Sequence, residues 1–190
     1  MQALDRRIEN FMIKTLNTSK TLARQKRREY YNRYGISIKG LIKDYGVNFQ
    51  HYCDYIFAVK LPYYLKPDSK MINTFRKIKL KKYIFSNAVE KYIRQGLEIL
   101  GLLPFFTRIY DIQFTGLRPK PSPAAYRKVL SHIGMPPQNM LFIDDEPKNI
   151  ASAKRLGLRT ALVCTSSQIS DADYTLRHLD ELPEILKKAN

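Results

Sequence analysis

The chain has 190 residues, of which 44% are hydrophobic and 26% charged, a balance that suits one substantial globular domain or a domain with a small insert. No stretch approaches the ~18–20 uninterrupted apolar residues of a membrane span, and the opening "MQALDRRIENFMIKTL" is too charged throughout for a secretory signal. A formal net charge of +16 would suit a polyanionic partner, but the basic residues are dispersed apart from "RQKRRE" (24–29) and "RKIKLKK" (76–82), with no nucleic-acid motif around them, so solvated helix faces are the preferred reading.

Leu4, Ile8, Phe11, Met12 and Leu16 recur at helical spacing, which predicts an opening amphipathic helix. "NTSK" offers a cap for a second helix that runs to Tyr34 and stops at Gly35. A shorter helix over residues 39–45 ends at Gly46, and Asn48 caps another, "FQHYCDYIFAV". The tyrosine-rich "KLPYYLKPD" is a proline-broken connector. Residues 1–66 are therefore expected to be a helical module.

The pattern changes after Pro67. A helix over 68–78 precedes "KKYIFSNA", a short apolar strand ending in small polar residues. Helix "VEKYIRQGLEILG", strand "RIYDIQF", helix "PSPAAYRKVLSHIG" and strand "MLFID" follow. Helix "PKNIASAKRLG", strand "RTALVC", a short "ADYTL" and a closing helix "LDELPEILKKA" complete the chain. Alternation of this kind predicts, over 67–190, an α/β module with a parallel sheet covered by helices on both faces.

In such a sheet, ligands gather beyond the carboxyl ends of the strands. Three groups map to that edge. Ser86 and Asn87 follow strand "YIF", where a hydroxyl and a backbone N–H can cradle an anion or simply cap a helix. Lys120 stands between Pro119 and Pro121, which would stiffen it as a fixed positive charge. Asp144 and Asp145 end strand "MLFID". Two adjacent carboxylates exceed what a helix cap needs and offer the hard oxygen donors that Mg²⁺ prefers. His51, His132 and His178 have no partner at metal-ligand spacing, and Cys53 and Cys164 form no disulfide or zinc pattern, so a reducing cytoplasm is the expected location.

The order strand-Ser-Asn, Lys-Pro, strand-Asp-Asp-x-x-x-Asn resembles the second, third and fourth motifs of the haloacid dehalogenase superfamily, across nearly the whole chain. The resemblance implies a Rossmann-like core with an N-terminal helical cap, and a Mg²⁺-dependent phosphatase. It places Ser86, the Asn87 amide and Lys120 on phosphate. Asp145 becomes the direct metal ligand, Asp144 a ligand mainly through water, and Asn149 a group that steadies the loop. Lys120 and Asp145 are thus the candidate catalytic residues. The stretch "YYNRYGISIKGL" (30–41) is similar to the cap of the pyrimidine 5′-nucleotidase-like branch, which implies a nucleoside 5′-monophosphate as substrate. Tyr30, Tyr31, Tyr34, Tyr63 and Tyr64 could stack on a base, although a packed cap core is their expected use.

The family's first motif, Asp-x-Asp-x-Thr, carries the nucleophile and the general acid at the end of a central first strand. No such strand precedes the helical module. "DADYT" (171–175) fits the letters, but "TSSQIS" rather than an apolar strand comes before it, so it is not expected to serve. The expected protein is therefore an N-terminally truncated hydrolase without turnover, or else a non-catalytic phosphate-binding relative. A basic nucleic-acid binder is the remaining alternative. A membrane partner is not expected.

Overall fold

Helix boundaries in the first part of the chain follow from capping side chains and left-handed glycines. In the computed structural model, which describes residues 2–164 and 171–188, the chain divides into two compact units, Met1–Leu65 and Lys66–Asn190. The first holds α1 (Gln2–Leu16), α2 (Lys20–Tyr34), α3 (Ser37–Tyr45) and α4 (Phe49–Ile56). The Ser19 hydroxyl accepts the Leu22 N–H at the start of α2, and Asn48 Oδ1 accepts the His51 N–H at the start of α4. Gly35, at φ 76°, closes α2 in a conformation that costs a side-chain-bearing residue free energy.

Phe11 and Met12 of α1, Ala23 and Tyr30 of α2, Leu41 of α3, and Tyr52 and Ile56 of α4 are buried. These are the apolar positions that the 3.6-residue period aligns on one face of each helix. The fourth helix is shorter than its pattern suggested. Its last carbonyls, on Tyr55 and Ile56, accept hydrogen bonds from the Arg7 guanidinium, and the chain then turns through a 3₁₀ segment, Leu61–Tyr63. Of the five tyrosines considered for a packed core, Tyr30 is buried and Tyr34 half-buried, whereas Tyr31, Tyr63 and Tyr64 are exposed.

The second unit contains α5 (Ser69–Lys77), β1 (Tyr83–Phe85), α6 (Glu90–Ile99), β2 (Arg108–Tyr110) and α7 (Pro123–Ile133). It continues with β3 (Leu141–Asp144), α8 (Pro147–Arg155), β4 (Arg159–Val163), β5 (Tyr174–Leu176) and α9 (Leu182–Lys188). All strand pairs are parallel, as the alternation of strands and helices requires. The described strands form two sheets rather than one: β1 pairs with β2, and β3, β4 and β5 pair in that order. Strand β2 stops at Tyr110, short of the expected "RIYDIQF". Asp111 ends it by accepting the Phe114 N–H on Oδ1 and the Glu90 N–H on Oδ2, so one carboxylate both turns the chain and caps α6.

Helices cover both faces. Ile84 packs with Phe75, Leu97, Leu102 and Ile109 beneath α5 and α6. Leu141 and Ile143 pack with Leu176, Leu182 and Ile185, where α9 lies. On the other face Phe85 and Phe142 join Tyr126 of α7 and Ala153 of α8. Among the described residues, no helix is long and apolar enough to cross a membrane.

Candidate functional site at the carboxyl edge of the sheets

The loop between β2 and α7 carries Lys120 to the ends of β1 and β3. The Asn87 side chain fixes its backbone: Asn87 Nδ2 donates to the Lys120 carbonyl at 3.0 Å, and the Lys120 N–H donates to Asn87 Oδ1 at 2.7 Å. This paired arrangement copies a strand-to-strand bond between residues 33 apart. The Lys120 ammonium then donates to Asp144 Oδ2 at 2.6 Å. It also lies 5.3 Å from the centre of the Phe85 ring and 5.5 Å from that of Phe142, within cation–π range.

Asp144 is buried, and two further donors hold it. Its Oδ1 accepts the Glu146 N–H at 2.9 Å and Asn149 Nδ2 at 2.9 Å. The Asn149 carbonyl in turn accepts the Tyr126 hydroxyl at 2.9 Å, whose phenol burial pushes well above its ordinary range. Hydrogen bonds of this kind, several of them charge-assisted, compensate the desolvation of a carboxylate.

The structure thus brings Asn87, Lys120, Asp144 and Asn149 into one connected network, with Ser86 beside it. The Ser86 hydroxyl oxygen accepts the Ala88 N–H at 3.1 Å, while its backbone N–H donates to Tyr110. It does not cap α6, which begins at Glu90. Asp145 follows directly, is exposed, and has no hydrogen-bond partner among the described residues. The Asn87 side chain is occupied with Lys120, which leaves its backbone N–H as the group free for an anion.

Three aromatic contributors were not identified in the sequence. Tyr126 meets Phe85 edge-on at 5.1 Å and Phe142 at 5.4 Å, forming the apolar floor under Lys120. The available signal was positional: Phe85 directly precedes Ser86, and Phe142 stands two residues before Asp144.

The single Asp-x-Asp-x-Thr of the sequence lies elsewhere. Residues 165–170, whose sequence argued against a strand there, fall outside the described residues. Asp173 accepts the Thr160 N–H and hydroxyl, both at 2.8 Å, and pairs with Lys154 at 3.1 Å. It precedes β5 and ties to the start of β4, the entering edge of the sheet, whereas Asp144 stands at the leaving edge.

Comparison with known proteins decides the family. A model of the haloacid dehalogenase-like hydrolases matches residues 5–157. The chain belongs to that family. Phosphate metabolism protein 8 of Saccharomyces cerevisiae is 30% identical over 146 residues, which are 68% of this chain and 45% of that protein. An enolase-phosphatase E1 from Lachancea thermotolerans is 29% identical over 97 residues, or 50% of this chain and 42% of that protein. The chain therefore spans under half the length of these relatives. The solved HAD phosphatase from Thermococcus onnurineus superposes with a TM-score of 0.66 at 20% identity, covering 97% of this chain and 91% of its own.

The family's usual Mg²⁺ can be tested against the donor set. Both oxygens of Asp144 are engaged by Lys120, Asn149 and the Glu146 N–H, while Asp145 presents exposed carboxylate oxygens. Among the described residues, no group of three or more His, Cys, Asp or Glu could enclose a metal. A hard dication that keeps water and substrate phosphate in its shell needs only one or two carboxylates. Asp145, with Asp144 behind it, fits that minimal role and no fuller one.

Proposed function

We propose that this edge binds the phosphoryl group of a small phosphomonoester, a nucleoside 5′-monophosphate of the kind handled by the pyrimidine 5′-nucleotidase-like branch. The observation that carries the reading is the Lys120 ammonium, fixed between Asp144 and two aromatic rings at the edge where ligands of parallel sheets bind. The printed names of the two relatives, a phosphate metabolism protein and an enolase-phosphatase, support phosphate chemistry.

In this reading each group has a separate task. Lys120 supplies a fixed positive charge to the non-bridging oxygens. The Ser86 hydroxyl and the Asn87 N–H donate to one of them. Asp144 orients Lys120, and Asn149 holds Asp144. Mg²⁺ held by Asp145, when bound, neutralises phosphoryl charge. The helical unit, residues 1–65, is assigned the part of a cap. An aspartate nucleophile is the component this sequence does not place at the site, since its one Asp-x-Asp pair stands at the opposite edge. The chain is therefore read as binding phosphate without rapid turnover.

Calorimetric titration with inorganic phosphate, then with uridine and cytidine 5′-monophosphates, tests this in the presence and absence of Mg²⁺. Binding should strengthen with Mg²⁺, weaken in Asp145→Ala and disappear in Lys120→Met. Binding that ignores Lys120→Met would sink the assignment. Rapid hydrolysis of p-nitrophenyl phosphate would overturn the statement about turnover.

A further inference from the structure

The basic stretch "RKIKLKK" (76–82) has no part in the phosphate site, and the structure gives it a definite shape. Helix α5 ends at Lys77 and β1 begins at Tyr83, so residues 78–82 form a loop at the entering edge of β1. Lys82 folds back over this loop: its ammonium donates to the Ile78 carbonyl at 2.5 Å and to the Leu80 carbonyl at 3.1 Å. With those carbonyls tied down, Leu80 stands 61% exposed between Lys79 and Lys81, which are exposed as well.

The charge around that leucine is uncompensated. Arg76 and Lys77 complement the carboxyl end of α5, but Lys79 and Lys81 lie past the helix, where no dipole calls for them. Burial and then the neighbouring Lys79 hold the Lys82 ammonium below its ordinary 10.5, so the loop crowds like charges at a cost. The parallel register adds Arg108, which starts β2 opposite Tyr83. Its guanidinium rests on aromatic rings, 5.5 Å from the centre of Tyr110 and 5.6 Å from that of Phe114. Among the described residues, none of Lys77, Lys79, Lys81 and Arg108 pairs with a carboxylate. Asp68 and Asp180 serve the opposite end of α5, the first as its cap and the second as partner of Lys70.

A second apolar side chain stands at the same edge. Asn87 after β1 and Asp144 at the end of β3 both bond Lys120, so the two sheets share a leaving edge and with it an entering edge. The chain returns to the entering edge between α7 and β3, and Met135 in that connection is 39% exposed. Among the described residues of this unit, Leu80 and Met135 are the exposed large hydrophobic side chains, and both fall on this edge. One such residue would need no explanation, but two on an edge of unpaired cations do.

The geometry points to a peripheral membrane contact: the entering edge, with Leu80 and Met135 as apolar tips and Lys77, Lys79, Lys81 and Arg108 as its free cations, rests on a bilayer surface of anionic phospholipid. The cations meet the headgroup charges, and the aliphatic tips enter the acyl boundary. A nucleic acid would use the cations but leave the aliphatic tips wet, since base stacking calls for aromatic rings. No spanning helix is involved. The Lys120 site, at the leaving edge, faces away from the bilayer, and the inference holds whether or not that site binds phosphate.

The test uses the full chain, which contains no tryptophan, so that Leu80→Trp places a single indole at the edge. Vesicles of phosphatidylcholine with about 30% phosphatidylserine should shift its emission to the blue, and brominated acyl chains should quench it, whereas phosphatidylcholine alone should do neither. In co-sedimentation with the anionic vesicles, Lys79→Gln with Lys81→Gln should weaken partition about fivefold for each charge removed. Leu80→Ser, which alters no charge, should weaken it about fivefold as well. The pair Arg28→Gln with Lys43→Gln, exposed cations of the helical unit, should weaken it by less than about twofold. Equal loss from both pairs would mean general adsorption of a basic chain and overturn the assignment, as would binding that leaves the indole in water. Tighter binding to a single-stranded oligonucleotide, unaffected by Leu80→Ser, would also overturn it by giving the edge to nucleic acid.

Discussion

The Lys120 ammonium lies 2.6 Å from Asp144 Oδ2, with 12% and 5% of the two side chains exposed. A pair so enclosed is stabilising only as a pair, because each charge has given up most of its water. Replacing one partner leaves the other unpaired. Lys120→Met or Asp144→Leu alone should cost about 3–5 kcal/mol, whereas the double replacement should recover much of that. Urea unfolding of the four proteins measures the coupling. Simple additivity would mean that the two charges are solvated independently.

Asn87 bonds Lys120 through both halves of its amide. Asn87→Ala removes two bonds, at about 1–3 kcal/mol for the pair. Asn87→Asp keeps the acceptor for the Lys120 N–H but sets an anionic oxygen against the Lys120 carbonyl. It should therefore weaken phosphate binding at least as much as alanine does, despite its closer shape. Calorimetry on the two variants separates the outcomes, and stronger binding by the aspartate variant would contradict the clamp.

The legible parts of the molecule were those written locally. Ser19, Asn48 and Asp68 announce helix starts through short side-chain oxygens, and Gly35 and Gly46 announce ends because they adopt positive φ. The apolar runs ending in Ser86 and Asp144 mark strands whose ends carry polar groups. What local pattern could not give was the use of each polar atom. Asn87 could be read as a phosphate ligand, but only the fold shows its side chain spent on a backbone 33 residues away. Asp111 lay inside a convincing strand pattern and instead terminates it, because two N–H groups from separate segments converge on its carboxylate. The Tyr126 floor depends on long-range packing of the same sort. The division of the strands into two sheets is likewise a matter of pairing, which hydrophobic pattern alone does not settle.

Asp173 gives the core a pH dependence with a definite sign. Partial burial raises its carboxyl pKa, but the Thr160 hydroxyl, the Lys154 ammonium and the Thr160 N–H together outweigh that and hold it below its ordinary 3.8. The unfolded chain therefore takes up the proton first as acid is added. The stabilisation is present above the unfolded value and disappears as pH falls through the folded one. Melting temperature followed from about pH 6 down to about pH 2 should drop more steeply for the parent than for Asp173→Asn. Thr160→Val should fall between the two. Parallel curves for parent and Asp173→Asn would show that the carboxylate is not coupled to folding.

Gly40 tests the packing of the helical unit. It stands in α3 against the buried Tyr30 ring, and a Cβ there would lie 2.2 Å from Cδ1 and 2.3 Å from Cγ of that ring. Those atoms are at the root of a rigid side chain, and the Tyr30 hydroxyl is held by Asp44 at 2.7 Å, so the ring cannot slide aside without losing its bond. Helix propensity favours alanine over glycine by about 1 kcal/mol, and a surface position would show that gain. Here overpacking opposes it and should win, with Gly40→Ala destabilising by about 1–3 kcal/mol or more. Tyr30→Phe, which keeps the ring and drops the hydroxyl, should cost about 1 kcal/mol by comparison. In the double variant Gly40→Ala with Tyr30→Ala, the space vacated by the ring accepts the new methyl. The glycine substitution should then become neutral or favourable relative to Tyr30→Ala alone. Circular dichroism during urea unfolding reports all four. If Gly40→Ala stabilises the parent as it would an exposed helix, the close approach of α3 to the Tyr30 ring is wrong.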